Sequence, residues 1–128
     1  MRAVKQQILF VDDDVSLCEL LALYLGAKGF EVKTAATGAE ARQWIEMIKF
    51  DLAILDVVLQ GESGLDLLDV IKNKHPNMPV LMLTGFEVDG ELLKKAVQGR
   101  AEAVLKKPQS LENILLSVRW HLETASMR

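Results

Sequence analysis

The chain has 128 residues, 50% of them apolar and 26% charged, which suffices for one domain with a sizeable buried core. Its formal net charge of −3 offers no broad attraction to nucleic acid or anionic membranes, and its single cysteine, Cys18, cannot close an internal disulfide, which suits a reducing cytosol. No run approaches the roughly 20 apolar residues of a membrane span, and the short apolar run after Lys5 ends in acid, unlike a signal peptide. The expectation is one cytoplasmic domain over residues 1–128.

In chain order, Gln7–Val11 reads as a first strand that runs straight into Asp12, Asp13 and Asp14. Leu17, Leu20, Leu21, Tyr24 and Leu25 then recur at helical spacing until "GAKG" stops the helix. Glu31–Ala36 is the second strand, and Thr37 caps a helix carrying Ala41, Trp44, Ile45 and Ile48. Leu52–Asp56 is the third strand. Ser63 caps a helix with Leu65, Leu68 and Ile71 that ends at "HPNMP". Val80–Thr84 is the fourth strand, followed by a weaker helix from about Glu87 to Gln98 and a fifth strand, Glu102–Lys106. Ser110 opens a last helix reaching about Ala125, with Leu111, Ile114, Leu115, Val118 and Leu122 on one face and Leu116 and Trp120 off it.

Five strands alternating with five helices predict an α/β domain with a doubly wound parallel sheet. The favoured strand order is 2-1-3-4-5, as in flavodoxin-like folds, with ligands bound beyond the carboxyl ends of the strands. Those ends deliver Asp12, Asp13 and Asp14 from the first strand, Asp56 from the third, Thr84 from the fourth and Lys107, followed by Pro108, from the fifth. Two like charges about 4 Å apart repel by roughly 4 kcal/mol at an effective dielectric near 20. Clustered carboxylates therefore share a proton or hold a hard cation. Magnesium suits such a rim because one or two carboxylates hold it while its other positions take water and phosphate oxygens. A carboxylate beside the ion can attack a phosphoryl group, with Thr84 and Lys107 available to its oxygens.

Four segments, "VDDD", "LAILDVVLQGESG", "VLMLTG" and "VLKKP", together resemble the receiver domain of two-component response regulators across essentially the whole chain. The resemblance implies that Asp56 is the phosphoacceptor and that Asp13, Asp56 and the main-chain carbonyl of Val58 ligate Mg2+, with Asp12 acting through water. Thr84 would follow the phosphoryl group and Lys107 would pair with it, aimed by a cis Lys107–Pro108 bond. Asp14 would cap the first helix. The implied partners are a sensor histidine kinase or histidine phosphotransfer protein and a downstream output domain or protein. Output would pass through the face made by the fourth helix, fifth strand and fifth helix, with a homodimer as one use of exposed Leu116 and Trp120.

The chain departs from the family pattern at Gln60, Val104 and Gln109. Gln60 stands where proline is usual, which predicts a looser loop after Asp56. Val104 replaces the usual Tyr or Phe, removing the ring that turns inward on activation, and Gln109 replaces a common Phe. Val58 and Phe86 are apolar where side chains can orient a hydrolytic water, predicting slow loss of the phosphoryl group. Two other readings compete. One is a pseudo-receiver that binds partners without phosphorylation; the other is a haloacid-dehalogenase-type phosphatase using Asp12 of "DDDV" as nucleophile. Against the latter, no second acidic pair follows Lys107 and Asp56 goes unexplained.

Overall fold

The computed structural model describes residues 4–85 and 89–127. A five-stranded parallel sheet is built from β1 (Gln7–Val11), β2 (Glu31–Ala35), β3 (Leu52–Asp56), β6 (Val80–Thr84) and β7 (Ala103–Lys106), in the order β2-β1-β3-β6-β7. Counting only these five, the order is the expected 2-1-3-4-5. A two-stranded hairpin, β4 (Val58–Leu59) and β5 (Glu62–Ser63), follows β3. The helices are α1 (Val15–Ala27), α2 (Gly38–Met47), α3 (Gly64–Lys74), α4 (Gly90–Gln98) and α5 (Leu111–Ser126).

The near-continuous apolar runs of β1, β3 and β6 arise because alternate residues face two separate cores. Leu9, Val11, Ala53, Leu55, Val80 and Met82 pack on one side with Ala41 and Ile45 of α2 and Leu67, Leu68 and Ile71 of α3. Ile8, Phe10, Leu52, Ile54, Leu81 and Leu83 pack on the other with Cys18, Leu21 and Leu25 of α1 and Ile114, Leu115, Val118 and Leu122 of α5. Each fully buried Val, Leu, Ile, Phe or Met among them contributes about 1.5–3 kcal/mol relative to exposure. Two filled cores hold the strand ends rigidly, and the rim chemistry depends on that rigidity. No helix among the described residues is long and apolar enough to cross a membrane.

Local chemistry sets the helix starts where the sequence places them. Asp14 accepts the Leu17 N–H at 3.1 Å, and Ser110 accepts that of Asn113 at 3.0 Å. Thr37 accepts the Glu40 N–H while Glu40 accepts the Ala36 N–H, a reciprocal pair that satisfies two otherwise orphan donors. Two strands are each one residue shorter than expected, at Ala35 and Ala103. Asp89 caps α4 through the Leu92 N–H, and Glu87, the expected start of that helix, lies outside the described residues.

The segment after Asp56 differs from the looser loop expected from Gln60. It folds into the β4–β5 hairpin, with Val58 opposite Ser63 and Leu59 opposite Glu62. Gly61, at φ +85°, supplies the left-handed turn, and Leu59, 4% exposed, plugs the hairpin into the core. Turn chemistry and one buried leucine replace the rigidity of the missing proline.

Candidate functional site

Asp12 continues β1 by donating its N–H to the Ala35 carbonyl at 3.0 Å. Its side chain is fully buried. Oδ1 accepts the Asp14 N–H at 2.9 Å. Oδ2 lies 2.6 Å from Lys107 Nζ as an ion pair but receives no well-directed hydrogen bond. Asp56 ends β3, where the pairing of Val11 with Leu55 brings it beside Asp12. Its Oδ1 accepts the Val58 N–H at 3.2 Å and its Oδ2 accepts from Lys107 Nζ at 3.1 Å. Asp13 is exposed, yet Asp12, Asp13 and Asp56 each present a carboxylate oxygen within 4.8 Å of the others.

Lys107 reaches the acids from the end of β7. Its backbone N–H donates to the Thr84 carbonyl at 2.6 Å, and the Lys107–Pro108 bond is cis, as the resemblance implied. Thr84 ends β6 fully buried, one residue past Leu83, the partner of Asp56 across the sheet. The structure thus gathers Asp12, Asp13, Asp56 and Lys107, with Thr84 closing the neighbouring strand end and the Val58 N–H holding the Asp56 carboxylate. Phe86 lies outside the described residues.

The electrostatics are unbalanced. Burial raises the Asp56 pKa above the usual carboxylate value, with the Asp12 charge adding to the rise and the Val58 N–H and Lys107 opposing it. Burial works to lower the Lys107 pKa, but its close contacts with the Asp12 and Asp56 carboxylates and their charges outweigh it and the net shift is upward. Lys107 stays an ammonium. Three carboxylates against that one ammonium leave an excess of two negative charges. The buried Asp12 Oδ2 without a directed partner and this excess fit a divalent cation bound by oxygens.

Two contributors escape a motif-level reading. A Cβ on Gly64 would lie 1.9 Å from the Asp56 carbonyl oxygen, so only glycine lets α3 start directly beside the end of β3. A glycine at the first position of a predicted helix, where better helix formers abound, was the available signal. Cys18 donates its thiol to the Asp12 carbonyl at 3.2 Å. Burial and the nearby Asp12 charge push the Cys18 pKa up to about 11, so it packs rather than reacts.

The profile described as "Response regulator receiver domain" matches residues 8–119. The chain is 36% identical to a cyclic di-GMP phosphodiesterase of Thermotoga maritima over 87% of its own length and 29% of that protein. It is 34% identical to the regulatory protein VanR of Enterococcus faecium, over 87% of this chain and 48% of VanR. The chain therefore spans less than half the length of these two relatives. A CheY-like receiver domain from Methanospirillum hungatei superposes with a TM-score of 0.93 at 29% identity, covering 97% of this chain and 98% of that one. NtrX of Brucella abortus superposes with a TM-score of 0.88 at 34% identity, over 97% of this chain and 29% of NtrX. With the family profile covering most of the chain and the same sheet bringing the same strand ends together, this chain belongs to the receiver-domain family of two-component response regulators.

Proposed function

We propose that this chain is a single receiver unit that accepts a phosphoryl group on Asp56 in a Mg2+-dependent reaction. The donor is the phosphohistidine of a sensor histidine kinase or of a histidine phosphotransfer protein. The carrying observation is the position of Asp56 at the rim, its Oδ2 held 3.1 Å from the Lys107 ammonium and flanked by the Asp12 and Asp13 carboxylates. Asp13, Asp56 and the Val58 carbonyl would hold the metal, with Asp12 acting through water, and the ion would screen the carboxylates from the incoming phosphoryl oxygens.

The remaining roles follow from this chain's own groups. An Asp56 carboxylate oxygen attacks phosphorus, the bond from phosphorus to the histidine nitrogen breaks, and the imidazole leaves with its bonding electrons and takes up a proton. Lys107 exchanges its contact with Asp56 for a phosphoryl oxygen, and the Thr84 hydroxyl donates to another. Asp12 does not compete as nucleophile. It is fully buried and braced by the Asp14 N–H and Lys107, which sets the phosphatase reading aside. The intact acid set likewise favours phosphorylation over a phosphate-independent pseudo-receiver.

Engagement of Thr84 would bias α4 and the face formed by α4, β7 and α5 toward an active arrangement. This chain makes the change without a ring at Val104, which packs against the core on the α2 and α3 side. The output partner is a further domain or a separate protein. Leu116 and Trp120, 58% and 64% exposed on α5, offer apolar area for it or for a second copy. Such a module works in the cytoplasm, where the kinase presents its phosphohistidine.

Intact-protein mass spectrometry after incubation with acetyl phosphate and Mg2+ tests the reading. The expected result is the mass gain of one phosphoryl group, absent in Asp56→Asn and absent when the metal is chelated. An equal gain in Asp56→Asn would overturn it.

A further inference from the structure

The β4–β5 hairpin is tied to the start of α2 by a contact outside the acidic site. Glu62, at the hairpin's returning strand, accepts from Arg42 Nη1 at 3.0 Å through Oε1, and its Oε2 lies 2.9 Å from the same nitrogen. The Glu62 side chain is only 18% exposed, whereas that of Arg42 is 43% exposed. The carboxylate lies flat over Gly38, the first residue of α2. A Cβ there would stand 1.2 Å from Glu62 Oε1 and 2.2 Å from Cδ. That position also places a negative charge at the electropositive end of the helix. Glycine at position 38 is therefore a steric condition for the Glu62–Arg42 contact, and the three residues form one latch.

The latch connects to the site through the hairpin. Glu62 pairs with Leu59 and Ser63 with Val58, and the Val58 N–H in turn holds Asp56 Oδ1. At the other end, Ser63 caps α3 through the Leu65 N–H, and Gly64 donates to the Val57 carbonyl at 2.7 Å. A six-residue excursion from Val58 to Ser63 thus has three anchors: the buried Leu59, the α3 cap and Glu62 on α2. With glutamine in place of proline at its turn, the ion pair adds a polar restraint on the strand that pairs with the one carrying Val58.

We infer that Arg42, Gly38 and Glu62 are positioning residues that set the affinity of the acidic site for Mg2+ by fixing Val58 against Asp56. The inference rests on the phosphoryl-acceptor reading of that site. It differs in asking how tightly the ion is held rather than whether phosphate is transferred.

The test is a Mg2+ titration of the unphosphorylated full chain followed by the amide shifts of Asp13 and Val58, with no phosphodonor present. Arg42→Met and Gly38→Ala should each raise the Mg2+ midpoint several-fold, less than the roughly 10-fold lost when a group bonded directly to a metal ligand is removed. Arg42→Lys should recover most of the loss, and Arg42→Met combined with Glu62→Gln should be no worse than either alone. The initial rate of Asp56 phosphorylation by acetyl phosphate at saturating Mg2+ should stay at the parent value in Arg42→Met. A Mg2+ midpoint unchanged in both Arg42→Met and Glu62→Gln overturns the inference, as does a lowered rate at saturating metal with an unmoved midpoint. A parent chain that binds Mg2+ with the predicted latch dependence but never gains a phosphoryl group would refute the acceptor reading while leaving the latch intact.

Discussion

Lys72, buried, and Lys107, whose side chain is 24% exposed, both sit beside carboxylates, and they differ in their accounts of charge. Lys72 is 2% exposed, and its ammonium donates to the Met78 carbonyl at 2.6 Å and to Glu102 Oε1 and Oε2 at 2.9 and 3.1 Å. Glu102 Oε1 also accepts the Val80 N–H at 2.7 Å. The ammonium meets the Glu102 carboxylate, and its three donors are all used. Lys107, at the opposite ends of the strands, contacts the Asp12 and Asp56 carboxylates, with Asp13 as a third acid within 4.8 Å of both, and Asp12 keeps a buried oxygen without a directed hydrogen bond. The same residue types thus serve two purposes. A closed pair fixes where α3, β6 and β7 meet, whereas an open, over-negative cluster is held ready for a ligand. Burial of a lysine identifies neither role; the completeness of its hydrogen bonding does.

The largest effect should come from breaking the closed pair. Lys72→Met leaves Glu102, 14% exposed, without the Lys72 ammonium and should cost about 3 kcal/mol of stability by urea unfolding. If Lys72→Met and Lys107→Met destabilise the metal-free chain equally, the distinction fails. Removing charge at the open cluster should act in the opposite direction. Asp13→Asn relieves repulsion and should raise metal-free stability by about 1 kcal/mol at low salt. Mg2+ at tenfold its dissociation constant should stabilise the parent chain by about 1.4 kcal/mol and Asp13→Asn by much less, while leaving the effect of Lys72→Met unchanged.

Smaller effects refine the picture. The Cys18 pKa is raised to about 11 from an ordinary 9.0. Its folded state therefore holds the thiol proton more tightly than the unfolded chain does. That contribution is complete below about pH 9 and is lost as pH rises toward 11. Cys18→Ala should lack this part of the alkaline decline in stability, and iodoacetamide should label the native thiol more slowly at pH 8 than after denaturation. Last, Val58 is apolar and 48% exposed beside the Asp56 carboxylate. A polar side chain there, as in Val58→Asn, should shorten the phosphoryl lifetime by orienting water; an unchanged lifetime would show that exclusion of water at Val58 does not set it.

The sheet was legible because its three central strands, β1, β3 and β6, are apolar on both faces, a signal that survives without knowledge of neighbours. The caps at Asp14, Thr37, Ser63 and Ser110 were legible because capping is local chemistry. The rim was legible through order alone: once β1 and β3 are neighbours, Asp12 and Asp56 must meet. What escaped was the non-local and the steric. Nothing around Gln60 signals that Leu59 will be buried and Gly61 left-handed, which turn an expected loose loop into a hairpin. Gly38 and Gly64 look like ordinary helix-start glycines until Glu62 and the Asp56 carbonyl are seen lying where their side chains would be. Lys72 reads as one solvated lysine of "IKNK" because Glu102, its partner, lies thirty residues away in the chain.

Isothermal titration of the metal-free chain with Mg2+ is the most direct probe of the excess negative charge at the rim. The account predicts one ion per chain, with binding weakened severely in Asp13→Asn and untouched in Lys72→Arg, which keeps the distant pair charged. No binding by the parent chain, or equal binding by Asp13→Asn, would contradict it.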